Sequence, residues 1–350
     1  MKMTFLTPRD EAWDAFLAEV PHDFYHKSSY ARLSSEFDGG EAEAVLLTDG
    51  LRYFFLPYVV RTLSSIAWLG AGASGLFDIT SPYGYPGPLC SAGDNNFASA
   101  AAAEWFNALR TRGAVSGFLR LHPLLPAPLE ELAKCGSVVE RGRTVSIDLS
   151  LSAEEMWGQT RADHRRNISK SKRSGLTAAM EDFGANIETF MRLYYETMDR
   201  AKASRYYYFP AEYFHSLKAC LQDNLALCLV RDAAGEVLGG GLFTLCQGII
   251  QYHLSGTFEA AIPLRPAKLM LDFVRTWAKE DGNRVLHLGG GLGAKEDFLF
   301  EFKCGFSTVR HPFHTWQVVF DPDQYHRLAQ QRSSQPNAEV DPEFFPLYRA

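Results

Sequence analysis

The 350 residues carry 35 Lys and Arg against 41 Asp and Glu, a net charge of -6, with 46% hydrophobic, 13% aromatic and 22% charged residues. These proportions exclude a disordered chain, a coiled coil and a collagen-like repeat, and at about 100–200 residues per domain the length predicts two domains. The acidic balance excludes wholesale coating of nucleic acid, so any RNA contact must come from a local basic patch.

The opening MKMTFLTPRDEAWDAFLAEV has no apolar stretch of signal-peptide length, because Arg9, Asp10 and Glu11 interrupt it early. Apolar spacing at Trp13, Phe16, Leu17 and Val20 predicts a helix over Asp10 to Val20. AVLLTDG and LRYFFLPYVV read as a β-hairpin turning at Asp49-Gly50, and Pro57 points to an edge position or a bulge. Thr62 to Phe77 is uncharged, but Gly70, Gly72 and Gly75 suit turns between strands better than a span. No run of about 18 apolar residues occurs, which excludes a transmembrane helix. SPYGYPGP (Ser81 to Pro88) cannot be regular structure. FASAAAAEWFNALRTRG then reads as a helix ending at Gly113, and VSGFLRLHP as a strand stopped by Pro123.

The second half repeats that order. GEVLGGGLFTLCQGIIQYHLSG predicts two strands turning near Gln247-Gly248. A loop with Pro263 and Pro266 follows, then the helix KLMLDFVRTWAKEDG, whose Leu269, Phe273 and Trp277 at spacing four predict one buried face. NRVLHL closes the unit as a strand. The recurrence of loop, Trp-bearing helix, Gly and strand suggests a diverged duplication of an α/β unit. The boundary falls near Ser150, where Ser152 and Glu155 form a capping box. Residues 1–150 are thus expected to form a first domain, joined by 321–350, and 151–320 a second. The six cysteines include no CxxC pair and no zinc spacing, which predicts reduced thiols, no metal and a cytoplasmic protein, at most peripheral to the inner face of a membrane.

Three stretches could carry chemistry. RADHRRNISKSKR places Arg161, Arg165 and Lys172 near one helical face, which either attracts phosphate or is simply solvated. HLGGGLGAKEDFLFEFKCGF contains a G-x-G-x-x-A pattern at Gly289, Gly291 and Ala294. A dinucleotide site would need this in a first strand–turn–helix unit with a later acid, and no further unit follows. In the same stretch Lys303 sits among Phe300, Phe302 and Phe306, where the local sequence favours a snorkelling side chain over a buried cation. In IIQYHLSGT, Tyr252 and His253 alternate and so face opposite sides of a strand.

The succession YYETMDRAKASRYYYFPAEYF, QYHLSGT, PAKLMLDFVRTWAKEDG and LHLGGGLGAKEDFLFEFKCGF resembles the second domain of FemABX-like acyltransferases and the related BioF2-like domains. The Phe302–Lys303 pair is the most specific element. The resemblance implies α/β architecture with two tandem GNAT-like domains. It also implies transfer of an acyl or aminoacyl group to an amine in bacterial cell-envelope or polysaccharide synthesis, with acyl-CoA or aminoacyl-tRNA as co-substrate and no tightly bound cofactor. The implied partners are a small-molecule amine acceptor, such as a nucleotide- or lipid-linked envelope precursor, and tRNA. By resemblance Lys303 stabilises the oxyanion of the tetrahedral intermediate, Phe302 shapes the pocket, Tyr252 lines the cleft and Arg205 holds an acceptor phosphate. The usual GNAT pyrophosphate loop is replaced by IPLRPAKL, whose Arg265 and Lys268 stand near a helix N-terminus suited to phosphate. A non-catalytic protein binding a phosphorylated envelope precursor is the alternative.

Overall fold

The alternation of apolar residues in the first sixty positions builds a strand meander, and the chain later builds a second one on the same plan. In the computed structural model, residues 1–69, 73–91, 93–335 and 341–350 are described. The first elements are β1 (Lys2–Leu6), α1 (Glu11–Ala18), α2 (Ser28–Asp38), β2 (Glu41–Asp49), β3 (Arg52–Thr62), β4 (Phe77–Thr80), β5 (Leu89–Cys90), α3 (Asn95–Thr111), β6 (Ala114–Arg120), α4 (Leu129–Leu132) and β7 (Ser137–Asp148). There follow α5 (Ala153–Gln159), α6 (Ala162–Arg173), β8 (Thr177–Glu181), α7 (Phe183–Arg200), α8 (Ala211–Leu221), β9 (Leu225–Arg231), β10 (Val237–Cys246), β11 (Ile249–Thr257), α9 (Pro266–Glu280), β12 (Val285–Gly289) and α10 (Phe298–Cys304). The chain closes with β13 (Arg310–Val319) and α11 (Pro322–Ser333). Two compact units result: Met1–Arg141 with Phe313–Ala350, and Gly142–Pro312.

In the first unit the strands lie in the order β1-β2-β3-β4-β6-β13, with β5 beside β3. Neighbours from β1 to β4 are antiparallel, β4 and β6 are parallel, and β13 returns antiparallel to β6 with Thr315 opposite Arg120. The hairpin turns where Asp49-Gly50 predicts, with Gly50 at φ 62°. Alternate residues divide between two faces. Val45, Phe54 and Tyr58 pack with Trp105, whose ring lies 5.1 Å from Trp316, while Ala44 and Phe55 pack with Trp13 and Leu17. Helix α3 is N-capped by Asp94, and the chain leaves it through Gly113 at φ 98°.

The edge position expected for Pro57 is corrected. β3 is an interior strand, flanked by β2 on one side and on the other by β5 at Phe54–Phe55 and β4 at Val59–Thr62. Counting the antiparallel alternation from the closing pair Asp49–Arg52 turns the nitrogen of Pro57 away from β2, into the gap between β5 and β4. The missing N–H therefore falls where no ladder partner stands. Of the turn glycines expected between Thr62 and Phe77, Gly75 has φ 78°, and Gly70 and Gly72 lie outside the described residues.

The second unit repeats the path as β8-β9-β10-β11-β12-β7: an antiparallel meander, a helical crossover through α9, a parallel strand β12, then β7 antiparallel to it. The capping box at Ser152 and Glu155 starts α5. On α9 the buried residues are Pro266, Leu269, Met270, Leu271, Val274 and Ala278, with Asp272 and Arg275, whereas Phe273 and Trp277 are only half-buried. The single stripe at spacing four is thus displaced, because a second surface of the helix also has a partner. Buried Arg275 donates to the Met156 carbonyl and to Thr160 Oγ1, and pairs with Asp272 at 2.6 Å. At Gly256 in β11 a Cβ would come 2.3 Å from the Leu193 backbone of α7, so only glycine allows this helix–strand approach.

Candidate active site

The parallel pair at the centre of the second unit is short: only Ile249, Ile250 and Gln251 register with Val285, Leu286 and His287. Beyond it β11 runs on to Thr257 while β12 ends at Gly289. The C-terminal ends of parallel strands, where the chain path switches, are the usual ligand crevice of open α/β sheets. At this point β11 also carries a bulge. Leu242 faces Leu254, but Phe243 faces Tyr252, so His253 is an extra residue. In a regular strand Tyr252 and Ser255 would point to opposite faces; with the extra residue, Tyr252 Oη donates to Ser255 Oγ at 2.6 Å. The Tyr252 ring stacks on Phe243, and burial pushes its hydroxyl pKa up to about 12. His253 turns elsewhere, with Nε2 3.3 Å from Tyr213 Oη.

Lys303 comes to this place on α10. Asp297 starts that helix, one carboxylate oxygen accepting from the Phe300 amide at 2.9 Å and the other from Leu292 at 3.0 Å. Phe300, three residues before Lys303 and so on the same side of the helix, is 2% exposed, and it takes Lys303 inward with it. The snorkelling favoured by the local sequence is therefore corrected: Lys303 is 7% exposed, and the outward residues are Phe298 and Leu299 instead. Its Nζ donates to the Gly290 carbonyl at 2.5 Å and stands 6.0 Å from the centre of the Tyr252 ring. Among the described residues no other acceptor is bonded to Nζ, so a nearly buried ammonium keeps two N–H groups for something else. Burial lowers its pKa from 10.5 to about 8, with Asp297 opposing the change.

The basic residues divide into those the fold gathers and those it disperses. Asp163, at the start of α6, accepts from Arg161 at 2.5 Å, His164 Nδ1 at 3.0 Å and Lys268 at 3.3 Å, and these donors hold its pKa well below the usual carboxylate range. Lys268, in the first turn of α9, is lowered by burial. Arg265 caps that helix in the left-handed region (φ 59°) with its side chain exposed. Arg161, Lys268 and Arg265 thus belong to one neighbourhood around the α9 N-terminus. Arg165 Nη1 donates to the carbonyls of Trp157, Gly158 and Thr160, closing the end of α5. Lys172 pairs with Asp272 at 2.8 Å. Arg205 is exposed on the single turn Arg205–Tyr207, with no hydrogen bond to the Lys303 group.

Phe302 half-buries its ring against His164 (5.7 Å) and Phe306 (5.6 Å), and its carbonyl receives His164 Nε2 at 3.0 Å. Burial pulls the His164 pKa below its usual value and Lys268 adds to the lowering, while the Asp163 carboxylate and the Phe302 carbonyl oppose it by favouring the imidazolium, the one form in which both ring nitrogens donate. His164 and the Gly290 carbonyl are the site members that sequence reasoning passes over. The Asp163-His164 pair inside an otherwise basic run is the one visible signal. Of the glycines of GGGLGA, Gly289 ends β12 and Gly293 alone lies in the single turn Leu292–Ala294, and α10 starts only after Asp297, so no helix opens on these glycines as a dinucleotide site requires.

Residues 158–301 match the family model described as an acetyltransferase (GNAT) domain. No curated protein matches the chain in sequence. Among solved structures, FemX superposes with a TM-score of 0.71 at 13% identity, covering 93% of this chain and 99% of its own. The C-terminal domain of a putative lysylphosphatidylglycerol synthetase from Agrobacterium fabrum gives 0.55 at 13% identity, covering 87% and 89%. L-PGS from Bacillus licheniformis gives 0.55 at 16%, covering 90% and 93%. Residues 158–301, within the second unit, are thus similar to a GNAT domain, and the chain shares the α/β fold of FemX over nearly its whole length.

Proposed function

We propose that the chain is an N-acyltransferase that joins an acyl or aminoacyl group from an activated donor to an amine, forming an amide, in the synthesis of a bacterial envelope or polysaccharide component. The observation that carries this reading is Lys303: a buried ammonium with two uncommitted N–H groups, set against Tyr252 at the C-terminal end of the β11–β12 pair. In such a transfer a neutral amine attacks the donor carbonyl, whose oxygen becomes an oxyanion. Collapse expels the thiolate of a CoA thioester or the ribose oxygen of an aminoacyl-tRNA, and the nitrogen gives up one proton. A preorganised cation in a site with little water stabilises the oxyanion far more than the same cation in water, by about 3–4 kcal/mol per donor removed. Lys303 supplies that cation, while Tyr252 and Phe302 furnish the apolar surroundings. Arg161, Lys268 and Arg265 at the start of α9 are the groups for a donor or acceptor phosphate.

The likeness to FemX and to the synthetase domains supports the envelope setting, and the GNAT domain supports acyl-CoA as donor. Thermal shift against acetyl-CoA, longer acyl-CoA thioesters and charged tRNA separates the donors. A CoA donor raises the melting temperature regardless of moderate salt, whereas tRNA does so with a steep salt dependence. With the donor in hand, Lys303→Ala is expected to lose at least about a hundredfold in turnover while still folding. Near-normal turnover of that variant overturns the reading.

A further inference from the structure

The start of α6 is bonded twice to the end of α10. The Arg161 amide donates to the Gly305 carbonyl at 2.9 Å, and His164 Nε2 donates to the carbonyl of Phe302, the residue before Lys303, at 3.0 Å. The first bond is made by backbone and survives any side chain. The second depends on His164 alone. Helix α10 has seven residues, too few to persist by themselves, and its last carbonyls take only tight-turn bonds, from Gly305 to Phe302 at 3.2 Å and from Phe306 to Lys303 at 3.0 Å. What holds its final turn therefore sets where Lys303 points.

His164 is built to do this. It is 1% exposed, and its ring meets Phe302 and Phe306 with centres 5.7 and 4.9 Å away. Its Nδ1 is anchored by Asp163, which Arg161 and Lys268 hold in turn. On its remaining side stands Gly305, where a Cβ would come 2.3 Å from Nε2, so the ring occupies the space a side chain would take. We propose that His164 is a positioning residue for Lys303: anchored by Asp163, its bond to the Phe302 carbonyl fixes the last turn of α10 and so the seat of the ammonium at Gly290. The inference rests on Lys303 as the oxyanion-stabilising cation. It adds that the carboxylate gathering the candidate phosphate-binding side chains also orients the catalytic lysine.

The ionisation of Lys303 reads its seat without any substrate. In protein carrying 13C at the lysine ε carbons, with the resonance assigned by Lys303→Met, the midpoint of titration is followed in four variants. His164→Gln keeps a donor near the Nε2 position and should retain the wild-type midpoint. His164→Asn keeps only the Asp163 side, and His164→Leu keeps neither. In both, Lys303 leaves its buried seat and its midpoint rises by at least about one pH unit toward the ordinary lysine value. Gly305→Ala displaces the ring without altering its chemistry and should act like His164→Leu, which covers the case of a leucine variant that does not fold. Turnover should fall at least about tenfold in the Asn and Ala variants and stay within about threefold in the Gln variant, because small misplacements of a catalytic group are costly. A merely structural histidine would make the Gln and Asn variants alike. An unmoved Lys303 titration in His164→Asn and Gly305→Ala overturns the inference even if Lys303 proves essential. A dispensable Lys303 instead overturns the proposed function.

Discussion

The role proposed for Lys303 comes at the expense of the fold. Its pKa falls from 10.5 to about 8, so at neutral pH the folded protein holds a proton that burial opposes, at a cost on the order of 3 kcal/mol. The sign follows from proton counts. Between about pH 8 and 10.5 the unfolded chain binds a proton that the folded chain lacks, so stability from this residue rises with pH across that window, and below it the penalty is full. Lys303→Met should raise the stability of the second unit at pH 7 by about 1–3 kcal/mol, and by much less at pH 10, in urea unfolding at the two pH values. Activity should move the opposite way. Because the charged form is the one that stabilises an oxyanion, wild-type turnover should decline as the pH rises through about 8. A rate that keeps climbing past pH 9 would remove the cation from the mechanism.

Among the elements, β11 bears the most constraints: a bulge at His253, a stacked Tyr252 and a backbone contact with α7 at Gly256. Gly256→Ala pushes a methyl group into the Leu193 carbonyl and carbon, both at 2.3 Å, and neither can move without shifting α7. A loss of about 2–4 kcal/mol is expected in denaturant unfolding, by overpacking against backbone rather than by conformational strain. Other elements were legible from sequence to the extent that their causes are local. The Asp49-Gly50 turn, the Ser152–Glu155 box and the exit through Gly113 are set by neighbouring residues, and each appears in place. Pro57 was not readable as an interior residue because the change of partner from β5 to β4 is a fact about distant strands. The inward turn of Lys303 was hidden from the local sequence, although the family resemblance implied it. It depends on Phe300 reaching a core assembled from β7, β10, β11 and α9, so the phenylalanine frame looked the same for a snorkelling lysine as for a buried one. His164 escaped notice because its partners, Asp163 apart, lie some 138 residues away.

For the whole molecule, the end of the chain matters to the first unit. Asp78, with no exposure, receives Arg61 at 2.9 Å, Tyr348 Oη at 3.2 Å and the Arg349 guanidinium, whose Nη2 stands at 3.0 Å. Tyr348 is itself fully buried and bonded to Ser116 at 2.6 Å. Replacing both, as Tyr348→Ala with Arg349→Ala, leaves Asp78 with one cation and opens a cavity. It should cost about 3–5 kcal/mol, measured as a lower unfolding midpoint. Single-stage unfolding with an unchanged midpoint would mean that these last residues only lie on the surface.

The two sheets also draw their final strands from unexpected parts of the chain. β7, which follows β6 in sequence, lies beside β12, while β6 waits for β13, with Arg120 facing Thr315. During synthesis the order of completion is therefore reversed. When β12 emerges, β7 has long been available and the later-made sheet can close. The earlier-made sheet keeps an open edge along β6 until residues near 319 leave the ribosome. That edge includes Val115 and Leu119, both fully buried in the finished protein, and an unpaired apolar edge is a template for wrong pairing. The nascent first unit is thus the form of this protein most in need of a chaperone.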